Sequence, residues 1–238
     1  MKTTTSFITI LLLTCFTLTA QETIKGNGNE VTTTRSVGDF NKIAVSGHFK
    51  IKLEKGKEGN ITIKGESNII EKLETTVDGG VLKVKFKKGL NFRANKTIYL
   101  TITYQNIESV SLSGSGEVAC NDLINAKDLG LRLSGSGNFN LNVVTTNLNA
   151  SISGSGNMNL TGETTNFTCG ISGSGNMNAK KLTAKVANAK ISGSGNVKVN
   201  AVNELNAKTS GSGNIIYSGN PTIIKANSSG SGSVQKKN

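Results

Sequence analysis

The tetrapeptide Ser-Gly-Ser-Gly occurs seven times from residue 110 onward in this 238-residue chain, with first serines at Ser113, Ser134, Ser153, Ser172, Ser192, Ser210 and Ser229. The intervals are 21, 19, 19, 20, 18 and 19 residues. So steady a period predicts a repeat architecture, in which each unit buries its apolar face only by stacking on its neighbours. Alignment on the first serine shows which face that is. The position before it reads Leu112, Leu133, Ile152, Ile171, Ile191, Thr209 and Ser228, and the position five after it reads Val118, Phe139, Met158, Met177, Val197, Ile215 and Val234. Further apolar columns lie seven after it, beginning Cys120, Leu141, Leu160, and five before it, beginning Leu129, Leu148, Phe167. Every one of these offsets is odd. The apolar period is therefore two, the pattern of strands whose alternate side chains point inward. A helical repeat would space them by three and four.

A strand unit of about 19 residues at ~3.3 Å each traces roughly 60 Å, and successive units stack ~4.8 Å apart, which describes one coil of a parallel β-helix. A leucine-rich repeat has a similar period but needs a Leu-x-x-Leu-x-Leu consensus and a helical side, and neither is present. A sandwich of hairpins would not bring the same residues back at every nineteenth position. One Pro, no Trp and 28 Gly suit short strands and tight turns rather than helices. The two glycines of each SGSG allow a bend, or a close approach between coils, that other residues resist. Four residues after the first serine stand Asn138, Asn157, Asn176, Asn196 and Asn214, with Glu117 and Ser233 at the ends of the column. Stacked amides at that repeat predict an asparagine ladder bonded along the solenoid axis. The alternative is a polar stripe that binds sugar hydroxyls.

Residues 1–20 read as a signal peptide. An apolar run from Phe7 to Leu18 is too short to span a bilayer, and Ala20 followed by Gln21 suits cleavage. A lipoprotein signal acylated at Cys15 is the weaker alternative, because Thr14 is bulky for a lipobox and Phe16–Leu18 continue the apolar run. No second long apolar segment follows, so no transmembrane segment is expected after signal removal. Residues 21–34 read as a linker. Residues 35–108 form an N-terminal β region of first coils or a cap, with strand patterns such as Phe49-Lys-Ile51-Lys-Leu53 and Val81-Leu82-Lys-Val84-Lys-Phe86. Residues 109–238 are the SGSG-repeat β-helix.

Formal charge is +12, from 27 Lys and Arg against 15 Asp and Glu. A surface of that sign favours acidic polysaccharide or another envelope polyanion, although lysines also solubilise strands and block edge pairing. The densest run is Lys83, Lys85, Lys87, Lys88, Arg93 and Lys96, in which Lys83 and Lys85 share one strand face. Nucleic acid is not expected, since only Phe86 and Phe92 stand nearby as stacking platforms. Cys120 and Cys169 lie at inward offsets in different columns, two to three coils apart. At ~4.8 Å per coil that separation exceeds the ~7 Å Cα limit of a disulfide, so two buried free thiols are expected.

Catalysis finds little support. The acids of the repeats, Glu108, Glu117, Asp122, Asp128, Glu163 and Glu204, fall at unrelated offsets and give no evident pair for glycoside hydrolysis. His48 is the sole histidine and reads as a surface residue. Calcium solenoids place Asp in their turns where this chain has Asn and Ser, and zinc lacks ligands, so no metal or other cofactor is expected. The glycines at Gly26 and Gly28 lack the strand-to-helix setting of a dinucleotide fingerprint.

The run from Arg35-Ser-Val37-Gly-Asp-Phe40 to Ile43-Ala-Val45-Ser-Gly47, the later Val77-Asp-Gly-Gly80-Val-Leu82 and the recurring SGSG together resemble a known family. It is the "putative auto-transporter adhesin, head GIN" domain family (DUF2807), common in Bacteroidetes. The resemblance spans about residues 35 to 235. It implies a right-handed parallel β-helix, exported, with a role in adhesion, and brings no catalytic residues with it. The chain holds no series of ~10-residue amphipathic strands from which a membrane barrel is built, so the translocating part of that description is not expected in it. The resulting expectation is a non-catalytic exported protein, in the periplasm, on the outer surface or outside the cell, that binds envelope polysaccharide. The alternatives are an assembly module that forms homo-oligomers and, third, a polysaccharide-processing enzyme.

Overall fold

The computed structural model describes residues 23–237. The signal-peptide and Cys15 readings lie outside those residues. The chain is nearly all β and forms a parallel β-solenoid of about seven turns. Its N-terminal part runs through β1 (Thr23–Lys25), β2 (Glu30–Ser36), β3 (Lys42–Ser46), β4 (Phe49–Lys55), β5 (Asn60–Glu66) and a single helical turn, α1 (Ser67–Ile70). It continues with β6 (Leu73–Asp78), β7 (Val81–Phe86), β8 (Asn91–Arg93) and β9 (Ile98–Tyr104). The repeats follow as β10 (Ser109–Gly114), β11 (Glu117–Gly135), β12 (Asn138–Gly154), β13 (Asn157–Gly173), β14 (Asn176–Gly193) and β15 (Asn196–Gly211), closing with β16 (Asn214–Ser218), β17 (Ile223–Ser229) and β18 (Ser233–Lys236).

Successive repeats pair in parallel with their apolar columns in register: Leu133 lies against Ile152, Ile152 against Ile171 and Ile171 against Ile191. The odd offsets all face inward. Val118, Phe139, Met158, Met177, Val197 and Ile215 form one buried stack, and Leu129, Leu148, Phe167, Ala187 and Leu205 form another. Each fully buried Leu, Ile, Met or Phe contributes roughly 1.5–3 kcal/mol of transfer free energy, so the columns are the main stabilising term. Cys120 on β11 and Cys169 on β13 are buried free thiols. Burial alone pushes the Cys169 thiol up to about 12.

The SGSG corners are closest-approach points between coils. Gly154 has φ +121°, and a Cβ placed on it would sit 2.5 Å from the carbonyl oxygen of Gly135 in the coil below. Gly156 is blocked in the same way by the carbonyl of Gly137 at 2.6 Å. Those carbonyls are also the hydrogen-bond acceptors that join the corners: Ser155 N donates to Gly135 O and Asn157 N to Gly137 O, both at 2.9 Å. Any side chain larger than hydrogen would separate the coils at the point where they bond.

The N-terminal strands belong to the same stack, but not in chain order. β3 pairs in parallel with β7 on one side and β10 on the other, and β4 lies likewise between β9 and β11. The coil made by residues 42–55 is thus inserted between the lowest coil, β7 to β9, and the first SGSG coil. Antiparallel strands close the bottom edges. β6 covers β7, while β5 covers β9 and is covered in turn by β2. Ile69 and Ile70 of α1, with Leu73, plug the core beneath them. Arg35 ties that plug down by donating to the carbonyls of Leu73 at 2.6 Å and Ile70 at 2.7 Å. Open sheet edges invite pairing with other chains, and at this end β7 and β9 each have a partner on both sides.

Candidate functional site

At the corner of the inserted coil the repeat chemistry changes. Ser46 aligns with Ser113 and Lys50 with Glu117, so Gly47-His48-Phe49 stands where the next coil has Gly114-Ser115-Gly116. One coil lower the corner opens into an excursion, residues 86–97, whose strand β8 pairs in parallel with β1. Excursion and corner enclose a cleft of about 540 Å³. Its floor is aromatic: Phe86 stacks on buried Phe49 at 5.5 Å between ring centroids and meets Phe92 at 4.2 Å. Its rim is cationic, with exposed Lys50, Lys96 and His48. Ser115, Gly116, Glu117 and Asn138 form the wall on the repeat side.

That wall is the foot of the asparagine column. Asn157 donates its amide to Asn138 Oδ1 at 3.0 Å, Asn176 to Asn157 and Asn196 to Asn176 at 3.1 Å each, and Asn214 to Asn196 at 3.3 Å. Ser233 completes it by donating its hydroxyl to Asn214. Every amide points down the stack, so the chain of hydrogen bonds is continuous and directional. Shorter ladders run beside it that the sequence reading did not single out, although their residues also sit at fixed offsets. Glu117, Asn140 and Asn159 form one, and Asp128, Asn147 and Asn166 another. Thr145 and Thr164 bond to each other inside the core at 2.8 Å.

The excursion is anchored by a residue the sequence reading also passed over. Glu66 is fully buried at the end of β5. Its carboxylate accepts from the backbone N–H of Gly28 and of Asn95, both at 2.7 Å, and of Lys96 at 3.2 Å. Burial pushes this carboxyl up, but the backbone donors and the Asn95 amide outweigh it and hold the group below its ordinary value. Gly26 is obligatory here, because a Cβ would collide with the Glu66 carboxylate. The glycine-rich turn at residues 26–28 therefore wraps an internal anion.

Of the six basic residues picked out in the sequence, only Lys96 lines the cleft. Lys83 and Lys85 do share the outer face of β7, but they meet acids of the covering strand β6: Lys83 pairs with Asp78 at 2.6 Å and Lys85 with Glu74 at 3.7 Å. The hydrogen bond from Lys83 keeps the Asp78 carboxyl below its usual range. Lys87 and Lys88 are exposed where the excursion begins, and Arg93 is exposed on β8. Most repeat acids hold structural positions: Glu108 pairs with Lys42, Asp122 accepts from Lys55 N, and Glu204 accepts from Asn206 and Lys225. Among the described residues, no three His, Cys, Asp or Glu side chains gather where a metal could be held.

Fold and cleft define a class: a parallel β-solenoid with a ligand-sized cleft at one end of a polar stripe. Residues 39–221 match the family described as "putative auto-transporter adhesin, head GIN domain", and the chain belongs to that family. Solved structures agree on the architecture. A "putative adhesin" from Bacteroides fragilis is similar over 90% of this chain and all of its own, at 26% identity and a TM-score of 0.86. A "putative lipid binding protein" from Parabacteroides distasonis is similar over 91% of this chain and all of its own, at 25% identity and a TM-score of 0.76. A "putative adhesin" from Parabacteroides merdae, at 24% identity, shares the fold with a TM-score of 0.73 over 91% of this chain and 99% of its own. No curated protein matches the sequence.

Proposed function

We propose that this chain is a non-catalytic, exported adhesin that holds acidic envelope polysaccharide in the cleft between the 86–97 excursion and the first coils. The observation that carries this reading is the pairing of an aromatic floor with a cationic rim. Phe86 and Phe92 offer apolar faces against which a sugar ring can lie, and Lys50 and Lys96 stand where a uronate or phosphate substituent would project. A volume of about 540 Å³ falls within the range of small-ligand pockets. The polymer leaves the cleft along Glu117 and Asn138 onto the exposed serines and amides of the stripe. Membership of the family described as "putative auto-transporter adhesin, head GIN domain" and similarity to a "putative adhesin" from Bacteroides fragilis support export and surface binding.

The test is a glycan array probed at low and physiological salt with the wild-type protein, a cleft variant combining Lys50→Ser, Lys96→Ser and Phe92→Ala, and a control combining Lys83→Ser and Lys85→Ser. Binding to acidic glycans is expected to weaken with salt and to be lost in the cleft variant alone. Retention by the cleft variant, or release of new reducing ends from a bound glycan, would overturn the reading.

A further inference from the structure

Charge along the solenoid is strongly segregated. Acids and bases are interleaved in the N-terminal part, where five of the six ion pairs among the described residues lie. After residue 175 the chain has nine lysines against one acidic side chain, Glu204, so the side chains of these last coils carry a formal +8 of the chain's +12. All nine are exposed. One carboxylate cannot neutralise them, and its partner is Lys225. Part of this excess is organised. β14 bulges against β15 between Ala179 and Thr183, leaving Lys180 and Lys181 out of that ladder, while Lys181 still pairs with Thr161 of β13. Lys180, Lys198 and Lys237, from three different levels of the stack, then converge on a cleft of about 250 Å³ beside Tyr217, whose lining holds no carboxylate among the described residues.

The same end is apolar where the other end is plugged. β17 pairs only with β15 and β18 only with β16 among the described residues, and every residue of β17 is exposed. Ile224 continues the buried column of Leu205, yet it is 47% exposed because no coil among the described residues covers it. Ile223 beside it is 48% exposed, and Val202 is exposed in the coil below. Exposed isoleucines on a strand that also carries Lys225, with Lys236 on the last strand, have the chemistry of an interfacial anchor, a shallow apolar contact with cations at headgroup level.

We propose that this end of the solenoid docks on an anionic lipid surface, with Val202, Ile223 and Ile224 entering the headgroup boundary and Lys225, Lys236 and Lys237, on or next to the last two strands, holding lipid phosphate. The competing occupant is a second copy stacked on the open coil. Charge decides against it, because two such ends would bring Lys225, Lys236 and Lys237 of one copy against those of the other. An anionic surface answers the lysines and the isoleucines together.

The experiment is co-sedimentation of the full chain with vesicles of phosphatidylcholine alone and of phosphatidylcholine containing phosphatidylglycerol, at low and high salt, with sedimentation velocity run without vesicles. Binding is expected only to the anionic vesicles and is weakened by salt. Each lysine near the surface is worth about a fivefold gain in partitioning, so combining Lys225→Ser, Lys236→Ser and Lys237→Ser lowers it on the order of a hundredfold. Ile223→Ser lowers binding while its circular dichroism stays that of the wild type, since the side chain is half exposed already. The cleft variant Lys50→Ser with Lys96→Ser keeps vesicle binding, which separates this proposal from the polysaccharide reading. Equal binding to neutral vesicles, an unchanged lysine variant, or vesicle-free dimers abolished by Ile223→Ser would each overturn it.

Discussion

Gly154 and Gly170 show how differently one residue type can be constrained within a single coil. Gly154 combines a positive φ with a carbonyl 2.5 Å from where a Cβ would lie, whereas Gly170 has ordinary φ and nothing nearer than 3.9 Å. Replacing Gly154 with Ala is expected to cost at least about 2 kcal/mol, from backbone strain and separation of the coils. Gly170→Ala is expected to be neutral or to stabilise by about 0.5 kcal/mol, because it restricts only the unfolded chain. Urea unfolding of the two variants checks this, and equal losses would remove the close-approach account of SGSG. The repeating glycines were plain in the sequence. Which of them are obligatory was not, because the obstructing atom belongs to the neighbouring coil.

At the scale of elements, the cleft depends on how the 86–97 excursion is fastened. β8 is three residues long, and its partner β1 is equally short, so neither is stable by itself. Glu66 supplies the missing anchor by gathering the N–H groups of Gly28, Asn95 and Lys96. The folded state keeps this carboxyl ionised below its ordinary value of 4.5. Its stabilisation is therefore fully present above that value and is lost as pH falls through the depressed folded one. Denaturant midpoints measured across the acid range should fall for the wild type and vary less for Glu66→Gln, which starts lower at neutral pH. A profile unchanged by the substitution would show that the excursion is held by other contacts. The sequence offered only a weak sign of this site: an acid ending a strand and a distant Gly-Asn-Gly turn. The two meet only once β2 and β5 pair antiparallel and bring Glu30 opposite Glu66.

Across the whole molecule, burial is graded from a plugged end to an open one. Nearest-neighbour stacking makes each coil's stability depend on the coils that flank it. Leu205→Ala, with a coil on either side, is expected to cost about 2–5 kcal/mol, while Ile224→Ala one coil further in the same column is expected to cost under about 1 kcal/mol. Thermal unfolding of the two variants tests the gradient, and similar losses would mean that the terminal coil is covered in solution. The regular half of this architecture was legible in the sequence because each repeat carries its own strand period, its glycine corner and its asparagine at a fixed offset. Local pattern determines local stacking when neighbours in the chain are also neighbours in space. The N-terminal part breaks that condition: β3 and β4 are inserted beneath β10 and above β7 and β9, although β7 and β9 come later in the chain. The sequence thus determined the solenoid, its period and its inward columns. Tertiary structure decided the order of the first coils and the aromatic cleft at their corner, since pairing between distant segments sets both.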